Sequence, residues 1–185
     1  MRWSILVLVL VLVAPAGPVR ADSSFAIGGH VDDVPSRSDH PFAAGASLEI
    51  EHWISNRAAL RATLVVDDFH MTSDECEFEW KGTVGYGLLG MRFDFLPHGG
   101  SPHAGPFAGF GVGAALAHGS DTCPSPAAMQ RVKSSGVSFE AELGVDVPLG
   151  GANTSLRVEG AVLTNTMFPD ESDALVASAS LALSM

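Results

Sequence analysis

Apolar and polar residues alternate along most of this chain with a period of two, the mark of strands that set one face against an apolar medium. The pattern is plainest in two stretches. Val137, Phe139, Ala141, Leu143, Val145 and Val147 share one parity, while Ser138, Glu140, Glu142, Gly144 and Asp146 share the other. Near the end, Leu175, Ala177, Ala179, Leu181, Leu183 and Met185 alternate with Ser178, Ser180, Ala182 and Ser184, with Val176 the exception. An uncovered last strand is an open edge that invites association. The stretch Ser23 to Val31 also alternates, and pairing first with last closes a barrel.

The same reading predicts five further strands. Residues 43–54 set Ala46, Leu48, Ile50 and Ile54 against Ser47, Glu49 and Glu51, with His52 near the strand end. Residues 58–69 set Leu60, Ala62, Leu64 and Val66 against Arg61, Thr63, Val65 and Asp67. In 81–95, Leu89, Met91, Phe93 and Phe95 oppose Gly90, Arg92 and Asp94, but Val84, Tyr86 and Leu88 leave the first half without a defined face. Residues 106–116 oppose Ala108, Phe110, Val112, Ala114 and Leu116 to Gly109, Gly111 and Gly113. Glycine at every second position leaves room on the inside of a tight sheet. Residues 154–163 carry Leu156, Val158 and Val162.

Register follows from keeping both apolar sets of an antiparallel pair on one face. A three-residue loop, Ser55-Asn56-Arg57, pairs Ile54 with Ala58 and places Glu51 opposite Arg61. Gly150-Gly151 reads as a two-residue hairpin turn that pairs Leu149 with Ala152, Glu142 with Glu159 and Gly144 with Arg157. The total is eight strands of about 9 to 15 residues, where a membrane strand takes about 9 to 11. Loops at 32–41, 68–79, 118–133 and 164–173 fall at one end, and turns near Asn56, Gly99 and Gly150 at the other. Short turns at one end and longer loops at the other are the habit of outer-membrane barrels.

Period two leaves open which face points inward, and the charges decide it. Arginines recur where register sets them against carboxylates, as charges enclosed in a narrow interior require. Ten side chains are expected inside: Glu49, Glu51, Arg61, Arg92, Asp94, Glu140, Glu142, Asp146, Arg157 and Glu159. The apolar face, built of Ala, Val and Leu, is a poor inventory for a soluble core. Phe69, Trp80, Phe93, Phe95 and Phe168 cluster near strand ends, as interfacial girdles do. The expected fold class is therefore all-β, an eight-stranded antiparallel up-and-down transmembrane barrel. The rival is a soluble, periplasmic, lipocalin-like barrel with its apolar face inward.

Composition adds three points. Residues 1–21 have the parts of a secretory signal peptide: Arg2, an apolar run from Ile5 to Ala14, then Pro15, Gly17 and Pro18, and Val19-Arg20-Ala21 at a cleavage point. The remaining 22–185 make one domain, the barrel. Without residues 1–21 the chain has eight basic and 21 acidic residues, a net charge of −13, which excludes nucleic acid as a partner bound through its phosphates. Hydrophobic residues reach 46% and charged ones 17%, finely interleaved, with no run long enough for a membrane helix. The two cysteines of this exported chain, Cys76 and Cys123, most simply form one disulfide, and both fall in external loops.

With these features the chain resembles the bacterial outer-membrane β-barrel domain family, the small OmpA/OmpX-type barrels. The features that carry the resemblance are the leader, eight alternating strands, the glycine-rich stretch at 106–116, interior Arg and Glu, and a strand that runs to the terminus. The resemblance implies a place in the bacterial outer membrane among its lipid and lipopolysaccharide, with the barrel-assembly machinery as partner during biogenesis. Barrels of this family typically end in Phe or Trp, and here the last residue is Met185.

Candidate chemistry is sparse. Some eight-stranded barrels are lipid A deacylases with a His-x-Ser pair and a Glu, and His118-Gly119-Ser120 with Glu140 and Glu142 offers those residue types. Parity sets His118 and Ser120 on the lipid side and both glutamates inside, so no enzyme is expected. Asp67, Asp68, His70, Asp74, Glu75, Glu77 and Glu79 form an acidic loop without EF-hand spacing, so neither a metal nor another cofactor is expected. Eight strands enclose a lumen that side chains fill, and no open pore is expected. The expected role is structural, surface-interacting or envelope-stabilising, with an unidentified partner at the external loops; the alternative is a lipid-modifying enzyme.

Overall fold

A computed structural model describes residues 23–33, 42–73, 78–96, 104–122, 129–150, 153–166 and 173–184. The candidate leader 1–21, Cys76 and Cys123 lie outside the described residues. Eight strands follow in order: β1 (Ser23–Asp33), β2 (Phe42–Trp53), β3 (Ala58–Ser73), β4 (Phe78–Asp94), β5 (Gly105–Thr122), β6 (Met129–Pro148), β7 (Thr154–Asn165) and β8 (Asp173–Ser184). Each pairs antiparallel with its chain neighbours, and β1 pairs with β8 from Ser24↔Ser184 to Asp33↔Leu175, which closes the barrel.

The apolar parity faces outward. Ile27 is 58% exposed and Leu143 64%, and Leu60, Val66, Leu89, Phe110, Val112, Leu116, Phe139, Val158, Val162, Leu175, Leu181 and Leu183 join them on the outer surface. Phe93 stacks on Phe110 at 6.3 Å in this band. The opposite parity is enclosed. A barrel that exposes its large aliphatic side chains and buries its arginines is built for lipid outside and a polar filling within.

The β2–β3 register is as the sequence indicates, with Glu51 opposite Arg61 and the Ile54 N–H donating to the Ala58 carbonyl at 2.9 Å. The β6–β7 register is not. Leu149 pairs with Thr154, not Ala152, so the connection is the four residues 150–153 and not Gly150-Gly151 alone. The shift of two places Asp146 opposite Arg157 and Gly144 opposite Glu159, in place of the expected pairing of Glu142 with Glu159. The physical reason is charge. The two-residue turn would oppose two carboxylates, which destabilises a cross-strand pair, whereas the longer turn opposes Asp146 to Arg157. Gly150 takes a φ of 59°, a left-handed conformation that glycine adopts without cost.

The expected loops 68–79 and 118–133 are largely strand. β3 runs on to Ser73, β4 starts at Phe78, β5 runs to Thr122 and β6 starts at Met129, so β5 and β6 reach 18 and 20 residues. The wall from β3 to β6 therefore rises above that of β1, β2, β7 and β8, which have 11 or 12 residues each.

The first half of β4 resolves inward. Val84, Tyr86 and Leu88 are buried with Ala43, Val65, Ala115, Ala117 and Leu163 in an apolar cluster in the loop-side half of the lumen. The interior is thus polar toward the short turns and apolar toward the loops.

Candidate functional site

Inward parity brings the charged side chains of five strands into one space. Arg157 on β7 is 1% exposed and reaches three carboxylates. Its Nε donates to Asp146 Oδ1 at 3.0 Å, Nη1 to Glu49 Oε2 at 2.7 Å, and Nη2 to Glu51 Oε2 at 3.0 Å. Arg92 on β4 donates from Nε to Asp94 Oδ1 at 2.8 Å, from Nη1 to Glu51 Oε1 at 3.2 Å and from Nη2 to Asp146 Oδ2 at 2.7 Å. Ser24 on β1 adds its hydroxyl to Glu51 Oε2 at 2.5 Å. These bonds cross the lumen. Strands β2 and β7 are not neighbours, yet Glu49 and Arg157 meet, and β4 likewise reaches β6 through Arg92 and Asp146.

A second group sits one layer nearer the apolar half. Arg61 on β3 donates from Nη2 to Glu140 Oε2 at 2.5 Å, pairs through Nη1 with Glu142, and lies 3.9 Å from Glu49 Oε2. Glu159 accepts from the Ser178 hydroxyl at 2.6 Å, and its Oε2 has no hydrogen-bond partner among the described residues. The structure thus places all ten residues named from sequence on the inner face, nine of them joined through three guanidiniums and Glu159 beside Ser178. Forked guanidinium to carboxylate bonds are the strong, geometrically specific kind. They fix each arginine against two or three walls at once.

Four contributors lie beyond the ten charges expected from sequence. Phe107 is fully buried, and the guanidinium carbons of Arg92 and Arg157 lie 3.8 and 5.2 Å from its ring centroid, with Arg92 also 5.5 Å from that of Trp53. A ring close to two guanidiniums offers its negative face to cations already drawn together by shared carboxylates. His30 on β1 pairs with Asp67 on β3, and both are buried. Parity carries the signal for these two, since His30 falls opposite Phe25 and Ile27, and Asp67 shares the parity of Arg61. Phe107 carries no such signal, because it is an aromatic residue on the polar parity.

The glycines of β5 make space for the acids. A Cβ on Gly109 would collide with the Glu142 carboxylate, and one on Gly111 would come within 3.2 Å of Glu140 Oε2.

The triad types do not converge. His118 is exposed on the outer surface, while Glu142 is buried inside and Glu140 faces the same lumen. Ser120 lies in β5, paired with Lys81 and Arg131. Of the acidic stretch, Asp67 is buried and Asp68 exposed, so adjacent carboxylates point to opposite faces, and residues 74–77 lie outside the described residues. No group of three or more His, Cys, Asp or Glu side chains among the described residues is arranged to hold a metal ion.

No protein-family model and no curated protein sequence matches the chain. Solved structures do. The attachment invasion locus protein Ail of Yersinia pestis, in complex with the heparin analogue sucrose octasulfate, matches with a TM-score of 0.57 at 12% identity, covering 90% of this chain and 98% of Ail. The N-terminal β-barrel domain of Pseudomonas aeruginosa OprF matches with a TM-score of 0.52 at 12% identity over 90% of this chain and all of that domain. OprG, an outer membrane protein of the same organism, matches with a TM-score of 0.54 at 9% identity over 89% of this chain and 96% of its own. At these identities the likeness is one of fold, and the chain has the fold of the small eight-stranded outer-membrane β-barrels.

Proposed function

We propose that this chain is a non-porous outer-membrane barrel that holds its external loops at the cell surface in a surface-interaction or envelope-stabilising role. The observation that carries the reading is the pairing of an apolar outer band with a lumen crossed by arginine and carboxylate bonds from β2, β3, β4, β6 and β7. Such a filling fixes register and leaves ions no continuous path, because each guanidinium is held from two or more sides. Export relies on residues 1–21 as signal peptide, and insertion on the barrel-assembly machinery. Once inserted, the outer band is surrounded by outer-membrane lipid and lipopolysaccharide. A disulfide between Cys76 and Cys123 ties together the β3–β4 and β5–β6 connections. Ail, solved in complex with a sulfated sugar, supports a surface-interaction role. The outward His118 and inward Glu142 support a binding rather than an enzymatic role.

Planar-bilayer recording of the purified chain tests this reading. Conductance at background level is expected for the chain, with measurable channels after Arg92 and Arg157 are both replaced by Ala. Sustained channels in the unmodified chain would overturn the non-porous role.

A further inference from the structure

The lumen holds more acid than base. Among the described residues, inward positions bring His30 from β1, Glu49 and Glu51 from β2, Arg61 and Asp67 from β3, and Arg92, Asp94 and Tyr86 from β4. They bring Glu140, Glu142 and Asp146 from β6 and Arg157 and Glu159 from β7, while β5 and β8 bring no titratable side chain. Eight carboxyl groups face three guanidiniums, an excess of five, or of four with His30 as the imidazolium partner of Asp67.

The excess is uneven. Near the short turns, Glu51 and Asp146 each accept from both Arg92 and Arg157, Glu49 accepts from Arg157 and Asp94 from Arg92. Every carboxyl of that layer thus has a guanidinium donating to it. One layer up, Arg61 serves both Glu140 and Glu142, and Glu159 makes no salt bridge among the described residues. Glu159 accepts from Ser178 at Oε1, while its Oε2 is buried without a hydrogen-bond partner. Register sets Glu159 opposite Gly144, diagonal to Glu142 on the inner face, and Glu140 follows Glu142 on that face of β6. Such same-face neighbours lie about 7 Å apart.

Three neighbouring carboxyl groups and one guanidinium leave two negative charges uncompensated if all three ionise, and like charges in an enclosed space do not all ionise. Counter-ions in solution are shut out on both sides. The apolar cluster of Val84, Tyr86, Leu88, Ala115, Ala117 and Leu163 covers the loop side, and Phe107 with Arg92 and Arg157 fills the turn side. A proton is the one cation that a carboxyl oxygen carries on itself, and a buried oxygen without a donor is far less costly on a neutral carboxyl than on a carboxylate. We propose that this layer is a proton-binding site, in which Glu159 and one member of the Glu140 and Glu142 pair hold protons in the folded barrel at neutral pH. Their loss in alkali sets Glu142 against Glu159 across the β6–β7 seam and loosens it. The inference rests on the non-porous reading, since an open lumen would admit salt.

Glutamate in an unfolded chain ionises at about pH 4.3, so folding at neutral pH should take up about two protons, and stability should fall as pH rises. The test follows urea unfolding of the full chain in phosphatidylcholine vesicles across the neutral and alkaline range. Between about pH 5.5 and 6.5, where the unfolded glutamates are ionised and the folded pair is protonated, the folding equilibrium constant should fall about 100-fold per pH unit. Glu159→Gln carries no ionisable proton, so its slope should be about 10-fold per pH unit, and in alkali it should be more stable than the unmodified chain. Glu51→Gln, in the lower layer, should weaken the barrel and keep the steeper slope. Infrared spectra of the folded chain at neutral pH should show the carbonyl band of a protonated carboxyl, reduced in Glu159→Gln. A slope that Glu159→Gln leaves unchanged, or no such band, overturns the proposal. So does stability that follows sodium or potassium concentration and not pH, which would assign the compensation to inorganic cations. Sustained channels from the unmodified chain in planar bilayers would fail the non-porous reading itself, whereas a non-conducting chain without the pH slope fails this inference alone.

Discussion

Replacing Arg157 with Leu removes the centre of the lumen network while keeping most of the side-chain volume. Four hydrogen bonds go at once, to Asp146 Oδ1 and Oδ2, Glu49 and Glu51, at 2.7 to 3.2 Å. Glu51 and Asp146 keep Arg92, at 3.2 and 2.7 Å, but Glu49 is left with Arg61 at 3.9 Å. Four charge-assisted bonds at about 1.5 to 3 kcal/mol each set an upper bound of about 12 kcal/mol. Breaking a buried pair by removing one partner costs about 3 to 5 kcal/mol in practice, because neighbours relax toward the remaining cation. The expected loss is therefore about 5 kcal/mol, read from urea unfolding in phospholipid vesicles by tryptophan fluorescence together with the folded gel band. Arg157→Lys keeps the charge and loses the fork, so about half that loss is expected. The sign of a second change sharpens the test. In the Arg157→Leu background, Glu49→Gln should restore stability, since it removes the carboxylate left without a close cation, whereas alone it should destabilise. An Arg157→Leu chain within about 1 kcal/mol of the unmodified one would refute the idea that cross-lumen bonds hold the barrel walls together.

Three further perturbations follow from the same geometry. Leu143→Arg, in the middle of the outward row of β6, should cost about 2 to 4 kcal/mol in a bilayer, where an exposed position of a soluble barrel would change by less than about 0.5 kcal/mol; vesicle unfolding separates the two. Gly90→Ala puts a Cβ onto the backbone of Phe110 and Gly111 and should cost about 1 to 3 kcal/mol, while Gly29→Ala, whose Cβ would meet the Gly45 carbonyl at an unstrained 3.6 Å, should change little. Equal unfolding midpoints for these two variants would contradict the close β4–β5 approach. Glu51→Gln, which weakens bonds from Arg92, Arg157 and Ser24, should cost about 3 to 5 kcal/mol, whereas Glu159→Gln, beside Ser178, should be tolerated within about 1 kcal/mol; a reversal of that order would sink the assignment of partners.

The sequence specifies the strand faces more clearly than the strand ends. Glu51 and Arg61 pair on the sequence alone, because parity and opposite charge point to one register. The β6–β7 turn escapes the same logic because a shift of two residues preserves every face, so the apolar pattern cannot distinguish the two registers. The like-charge pairing of Glu142 with Glu159 is the available signal against the shorter turn. The outer ends of β3 to β6 are illegible for a different reason: stretches such as His118 to Thr122 and Met129 to Gly136 lose the alternation of apolar and polar residues. Val84, Tyr86 and Leu88 stay ambiguous in sequence because that part of the lumen is itself apolar, so both faces of β4 read as hydrophobic. The ten interior charges can be named from parity, but their cross-lumen partners cannot, since β2 and β7 meet only once the barrel has closed.

The most direct test of a closed barrel with its apolar band in lipid is gel mobility of the detergent-folded chain with and without boiling, run alongside fractionation of the cell envelope. A band in the outer-membrane fraction that migrates differently before and after boiling is the expected result. A periplasmic, soluble chain whose mobility does not change on boiling would contradict it, and would mean that the apolar face is covered by something other than a bilayer.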